Sequence, residues 1–240
     1  MNAQQWLTES LRFTLFPSEP FERQDWWQDV VGEPADEERN NPKVGLFQQS
    51  GDFENGVLRL SVQPSRIDWT WAPVITEAFE HQHLGSFDDC STKFFALVDR
   101  WLQKAPSCKR LAYGPVLLLP VSAAEDGYKK LMSFLKLNLD YDGAKEFLLQ
   151  INRPRSGKTS IQGLRVNRLT TWSVQFQKKV EFSLEPESNS YLEKNLLYAC
   201  RLQMDINNAA VAKLPVERLS DLTTEFRELS FEIAEKGDCK

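Results

Sequence analysis

The sequence predicts an α+β protein, a mainly antiparallel sheet or sheets covered by helices. Three observations carry this reading. Apolar residues recur at every second position over several segments, which is the signature of strands with one buried face. The cleanest case runs from Leu164 to Leu184, where Trp172, Val174, Phe176, Val180 and Phe182 share a face that only Lys178 interrupts. Short turn chemistry joins neighbouring strands, as at Gly51-Asp52 to Asn55-Gly56 and at Pro64-Ser65, which favours antiparallel hairpins with one wet face. Between the strands lie segments with helical spacing and recognisable ends.

Along the chain, Leu11, Phe13 and Leu15 alternate, and Pro17 and Pro20 end that strand before a short helix from Glu22 to Val31. An acidic loop is expected from Glu33 to Asn41, then a strand from Val44 to Gln49. Leu58, Leu60 and Val62 form the next strand, and Ile67, Trp69 and Trp71 the one after it. Ser86 is placed to cap a helix running to about Lys104, with Phe87, Phe94, Phe95, Val98 and Trp101 on it. Leu111 to Leu119 reads as a strand ended by Pro120, followed by a helix from Ser122 to about Lys136. Phe147, Leu149 and Ile151 alternate, and a polar loop from Arg153 to Gly163 leads into the long strand. Leu196, Tyr198, Cys200, Leu202, Met204 and Ile206 mark the last strand. The final helix, Val216 to Lys236, carries an apolar stripe of Leu219, Leu222, Phe226, Leu229 and Ile233, and Gly237 closes it.

The order strand, helix, three strands, helix occurs twice. Residues 1–107 form the first half and 108–240 the second, expected to fold together as one compact domain. Leu15-Phe16-Pro17 and Leu118-Leu119-Pro120 stand 103 residues apart at corresponding points, and Leu58-Arg59-Leu60 and Leu164-Arg165-Val166 stand 106 apart. A pseudo-duplicated β-α-β-β-β-α unit is the architecture these matches suggest.

Composition bounds the functional classes. Hydrophobic residues make up 41% and charged residues 26% of the 240 residues, an ordinary globular balance. Cys90, Cys108, Cys200 and Cys239 are scattered without a C-x-x-C or metal-type spacing, so a reducing, cytoplasmic setting is expected. The amino-terminal residues lack a basic segment followed by an apolar one, and no stretch approaches the roughly 20 apolar residues of a membrane helix. A net charge of −5 argues against general nucleic-acid binding.

Three motifs suggest chemistry and fail on their surroundings. Ser156-Gly157-Lys158-Thr159-Ser160 resembles the end of a phosphate loop, yet Asn152 stands where the first glycine belongs, and a strand rather than a helix follows. His81 and His83, the only histidines, could share a metal with Asp88, Asp89 or Cys90, but ligands beyond two are not specified. The acidic pairs Asp88-Asp89 and Glu225/Glu228 lie on helices and read as solvated charge. No G-x-S-x-G elbow is present. The sequence therefore points away from an enzyme and implies no cofactor and no metal. Trp26-Trp27, Trp69, Trp71 and Trp172 read as core residues.

Charge distribution is the most informative feature. From Phe147 to Val180 there is no acidic residue, while Arg153, Arg155, Lys158, Arg165, Arg168, Lys178 and Lys179 are present. Glu19 to Glu38 holds eight acids against Arg23 alone. Arginine suits bidentate recognition of carboxylate or phosphate. The functional expectation is a non-enzymatic protein-interaction or accessory subunit acting through a charged sheet face, with Arg153, Arg155, Lys158, Arg165 and Arg168 as partner-binding residues. A nucleic-acid-binding accessory protein using the basic stretch from 153 to 179 is the alternative. A metal-dependent enzyme with a dispersed carboxylate site is third. Mutual neutralisation of the basic and acidic regions within the fold would remove the patch.

Overall fold

The computed structural model describes residues 6–159, 161, 163–181 and 192–237. The elements run β1 (Leu7–Pro17), α1 (Trp26–Val31), β2 (Glu37–Asn41), β3 (Leu46–Phe53), β4 (Gly56–Gln63), β5 (Arg66–Pro73) and α2 (Phe87–Leu102). They continue as β6 (Cys108–Tyr113), β7 (Val116–Val121), α3 (Ala124–Leu135), β8 (Phe147–Asn152), β9 (Arg155–Ser156), β10 (Arg165–Glu181), β11 (Leu192–Asn208) and α4 (Leu219–Lys236). Single 3-10 turns precede β3 at Pro42–Val44 and α4 at Val216–Arg218.

Among the described residues, eleven strands join one antiparallel sheet in the order β2-β3-β4-β5-β1-β6-β11-β10-β8, with β7 continuing β6 along β1 and β11, and β9 continuing β8 along β10. The interruption between β6 and β7 falls at Gly114-Pro115, where proline supplies no N–H to a ladder. Neighbouring strands accommodate it. The Gly114 and Arg12 amides exchange bonds, and the Met204 N–H donates to the Pro115 carbonyl at 3.0 Å.

Every helix covers the same face. Phe13 pairs across the sheet with Trp69 and Tyr113, and these rings meet Phe95 and Trp101 of α2 and Trp27 of α1. On the other half, Trp172 packs against Phe134 of α3, and the Cys200 thiol lies 3.4 Å from the Gly127 carbonyl of α3. Trp6 ties the halves together: its ring meets Trp172 edge-on, and its indole N–H donates to the Ala234 carbonyl of α4 at 2.8 Å. The large rings thus form one continuous core, where most of the burial resides.

Local signals explain the helix ends. The Ser86 side chain accepts from the Asp89 N–H, capping α2 as its sequence implies. Asp25 caps α1 by accepting from the Gln28 N–H, so that helix begins later than Glu22. Val216 lies in the 3-10 turn and is exposed, whereas Leu219, Leu222, Phe226, Leu229 and Ile233 are buried as expected. Gly237 closes α4 with φ of 76°.

Four further expectations need correction. The strand expected from Leu111 to Leu119 is two, β6 and β7, parted at Gly114-Pro115, and Pro120 lies within β7 rather than ending it. The acidic segment from Glu33 to Asn41 is not all loop, because Glu37–Asn41 forms the edge strand β2. The loop from Arg153 to Gly163 is shorter than expected, since Arg155 and Ser156 pair with β10. The shared face of β10 and β11 is not buried throughout. Trp172 is fully buried and Val174 half-buried, but Phe176 is 58% exposed and Leu196 is 44% exposed. The reason is topological. β8 accompanies β10 only to Val174, and β7 accompanies β11 only to Tyr198, so both strands outrun the sheet as a two-stranded ribbon. The Val180 side chain and Phe182 lie outside the described residues. Among the described residues, no helix is long and apolar enough to cross a membrane.

Candidate functional site

Strand parity separates the five expected partner-binding residues. Val166, Thr170 and Trp172 face the helices, so Arg168 does too, and it is only 3% exposed. Arg165 has the opposite parity and is exposed on the uncovered face. Arg153 is half-buried at the end of β8, and its N–H donates to the Arg168 carbonyl at 3.2 Å. Arg155 and Lys158 turn toward α4. The Arg155 guanidinium lies 3.5 Å from Glu232, and the Lys158 ammonium lies 3.7 Å from Glu228. The five are neighbours, but they do not point the same way. Of the set, Arg165 is presented outright, while Arg155 and Lys158 meet acids of the last helix rather than those between Glu19 and Glu38. Two of those acids pair elsewhere: Asp29 with Lys104, and Glu19 with Lys213.

The segment that resembles a phosphate loop is a hairpin turn. Gly157 N–H donates to the Leu164 carbonyl, closing the β9–β10 connection. The Lys158 N–H donates to Glu225 Oε1 at 2.9 Å, so an internal carboxylate holds the amide that a phosphate would need. Glu225 is 4% exposed, against the expectation of a solvated charge. Among the described residues, its Oε2 and the Thr159 hydroxyl are buried without hydrogen-bond partners, beside a cleft of about 350 Å³ that Asp221 and Glu228 also line. The signal lay in spacing: position 225 follows Leu222 by three and precedes Leu229 by four, which sets it beside the apolar stripe.

The other motifs take structural places. His81 Nε2 lies 3.2 Å from the Tyr198 carbonyl oxygen, so the loop after β5 rests on β11. Among the described residues no group of three or more His, Cys, Asp or Glu side chains is arranged to hold a metal. Cys90, Cys108 and Cys200 are buried free thiols, and Cys239 lies outside the described residues. Burial pushes the Cys108 and Cys200 thiols up to about 12 and raises Cys90, the opposite of what activates a nucleophilic thiolate.

The two ends of the sheet differ in character. The β2 edge, Glu37 to Asn41, is charged, with Glu37 and Glu38 accepting from Ser50 and Gln49 of β3. Such charge protects an open edge. The β8 edge, Phe147 to Asn152, has no charged residue, and Leu148 is 71% exposed on it. Among the described residues no strand pairs with its outer side. Comparison with protein families and with curated proteins finds no match for the chain.

Proposed function

We propose that this chain is a non-enzymatic protein-interaction module that meets an acidic partner at the β8–β10 end of its sheet. One observation carries the reading: Arg165 stands exposed beside an uncharged open edge, within a stretch from Phe147 to Val180 that contains no acid. The exposed Phe176 and Leu196 on the projecting ribbon add apolar surface of the kind that interfaces bury. Arg153, Arg155, Lys158 and Arg168 support this end from behind. The experiment is affinity co-purification of the tagged chain at low and at high salt. A stoichiometric protein that Arg165→Glu releases supports the reading, and co-purification unchanged by that charge reversal refutes it.

A second reading, nucleic-acid binding, has its own observation. On the uncovered face, Phe16 stands between Arg110 and Arg66, whose guanidinium carbons lie 5.2 and 5.9 Å from its ring centroid. An aromatic flanked by arginines is a stacking platform for a base. Nucleic-acid absorbance in the purified protein, lost on Phe16→Ala, would favour it over a protein partner.

The proposed architecture is a duplicated unit, residues 1–107 and 108–240. In its favour, β5 flanks β1 on one side of the central pair as β11 flanks β6 and β7 on the other. The order outward then repeats, through β4 and β3 on one wing and through β10 and β8 on the other.

A further inference from the structure

We infer that the β8 edge is a docking strand: an extended, acidic-flanked segment of a partner protein adds to the sheet there by main-chain pairing. This deepens the interaction reading above and rests on it. The ladder fixes which backbone groups are available. Arg153 N–H bonds the Arg168 carbonyl, and β8 continues in the same register, with Ile151 opposite Thr170 and Leu149 opposite Trp172. Hydrogen-bonded pairs alternate in an antiparallel ladder, so Phe147, Leu149 and Ile151 direct their amides and carbonyls toward β10. Leu148, Gln150 and Asn152 therefore direct theirs outward, and these three are the exposed residues of the strand. The strand offers about 20 Å of open pairing edge. Pro154 lies just beyond, at the same parity, and its missing N–H ends the row of outward donors.

Charge selects the occupant. Arg165, across the ladder from Ser156, is the exposed charge at that end, with Arg153 half-buried and Arg155 already 3.5 Å from Glu232 behind it. A segment with acids beside its apolar core complements that end. A second copy of the chain fits less well. Self-pairing must match outward residues with outward residues. Setting Gln150 against Gln150 places Arg155 opposite Lys145 and Pro154 opposite Glu146, and setting Gln150 against Leu148 places Arg153 opposite Lys145 and Asn152 opposite Glu146, so neither register sets an acid directly opposite Arg153 or Arg155. The edge also carries Leu148 and no charge, unlike β2, so in isolation it would be an aggregation site. Main-chain pairing with alternate side-chain contacts is an established way for a sheet edge to bind a peptide.

The test uses the full chain and a fluorescein-labelled peptide of alternating valine and threonine flanked by aspartates, read by anisotropy. Two control peptides carry lysine flanks, or N-methyl groups at every second residue to remove the pairing donors. Saturable binding of the aspartate peptide is expected, with both controls weaker by about tenfold or more. Gln150→Pro removes an outward N–H without breaking the β8–β10 ladder and should weaken binding to the same degree, whereas Gln150→Ala should not. The N-methyl control gives the answer even if the proline variant misfolds. Equal binding of all three peptides, absence of saturable binding, or full binding by a folded Gln150→Pro protein overturns the inference. A concentration-dependent dimer in sedimentation that Gln150→Pro abolishes overturns it in favour of a second copy. If a protein co-purifies and Arg165→Glu releases it while Gln150→Pro does not, the interaction reading stands and the docking strand falls.

Discussion

The Lys158 backbone N–H donates to the Glu225 carboxylate across 2.9 Å, joining the β9–β10 turn to the middle of α4. A helix side chain thereby serves an amide within a segment whose sequence imitates a nucleotide loop. ATP and GTP should leave the melting temperature unchanged, and Lys158→Ala should not alter that result. Glu225→Ala removes the acceptor from a part-buried N–H and should destabilise the fold by about 1–2 kcal/mol. Glu225→Gln keeps an acceptor and removes a buried charge, so its cost should be well below that of the alanine variant. A nucleotide-dependent rise in melting temperature that needs Lys158 would contradict this account.

Much of the fold was legible because period-2 burial and capping are local. Ser86, Gly237 and the stripe of α4 announce themselves within a few residues. Sheet membership is less local. Glu37–Asn41 lacks apolar alternation, since an edge strand with both faces wet need not show any, and the sequence therefore reads it as loop. Phe176 continues the alternation of Trp172 perfectly, yet its burial depends on how far β7 and β8 accompany the ribbon, which no residue near it encodes. The basic stretch was visible as composition, but the opposite facing of Arg165 and Arg168 follows from parity that was there to be read. Glu225 was hidden because a carboxylate on a helix is usually solvated.

Trp172 and Phe176 lie on the same side of one strand and should respond oppositely to truncation. Trp172 touches Trp6 and Phe134 in the core, and Trp172→Ala should cost about 3–5 kcal/mol in urea unfolding. Phe176→Ser should stay within about 0.5 kcal/mol, as surface substitutions do. A large loss at Phe176 would mean that the ribbon is covered in solution.

Arg165 and Arg168, three apart in sequence, divide surface from core. Arg168→Ala should destabilise by about 2–3 kcal/mol, and Arg165→Ala by no more than about 0.5 kcal/mol. Chemical denaturation of the two variants side by side checks this. Loss of partner binding in the Arg165 variant at unchanged stability would separate recognition from folding.

Alkaline pH should weaken the fold through its buried thiols. Cys108 and Cys200 rise from the ordinary 9.0 to about 12 because burial disfavours the thiolate. Between those values the unfolded chain holds fewer protons than the folded one, so stability falls as pH rises. Each thiol contributes a slope of about 1.4 kcal/mol per pH unit at most. Urea midpoints from pH 8 to 10.5 should decline, and replacing both cysteines by alanine should flatten the decline relative to the starting stability. An alkaline limb unaffected by that double replacement would assign the effect to other groups.

Gly237 should be among the least replaceable glycines. Its φ of 76° already favours glycine, and a β-carbon built there would approach the Phe134 carbonyl oxygen to 1.9 Å and its carbonyl carbon to 2.6 Å. The obstacle is the backbone of the last turn of α3, which cannot rotate away as a side chain could. Gly237 N–H also donates to the Ile233 carbonyl, so displacing the residue would unwind the end of α4. Gly237→Ala should therefore cost about 2–5 kcal/mol, combining backbone strain with overpacking between the two helices. Gly143 provides the control. Its φ of 69° is similar, but among the described residues nothing lies within 4 Å of its added β-carbon. Gly143→Ala should lose only the conformational part, about 1 kcal/mol. Thermal unfolding of the two variants measures the difference directly, and equal losses would show that the contact between α4 and α3 is not what makes this glycine necessary.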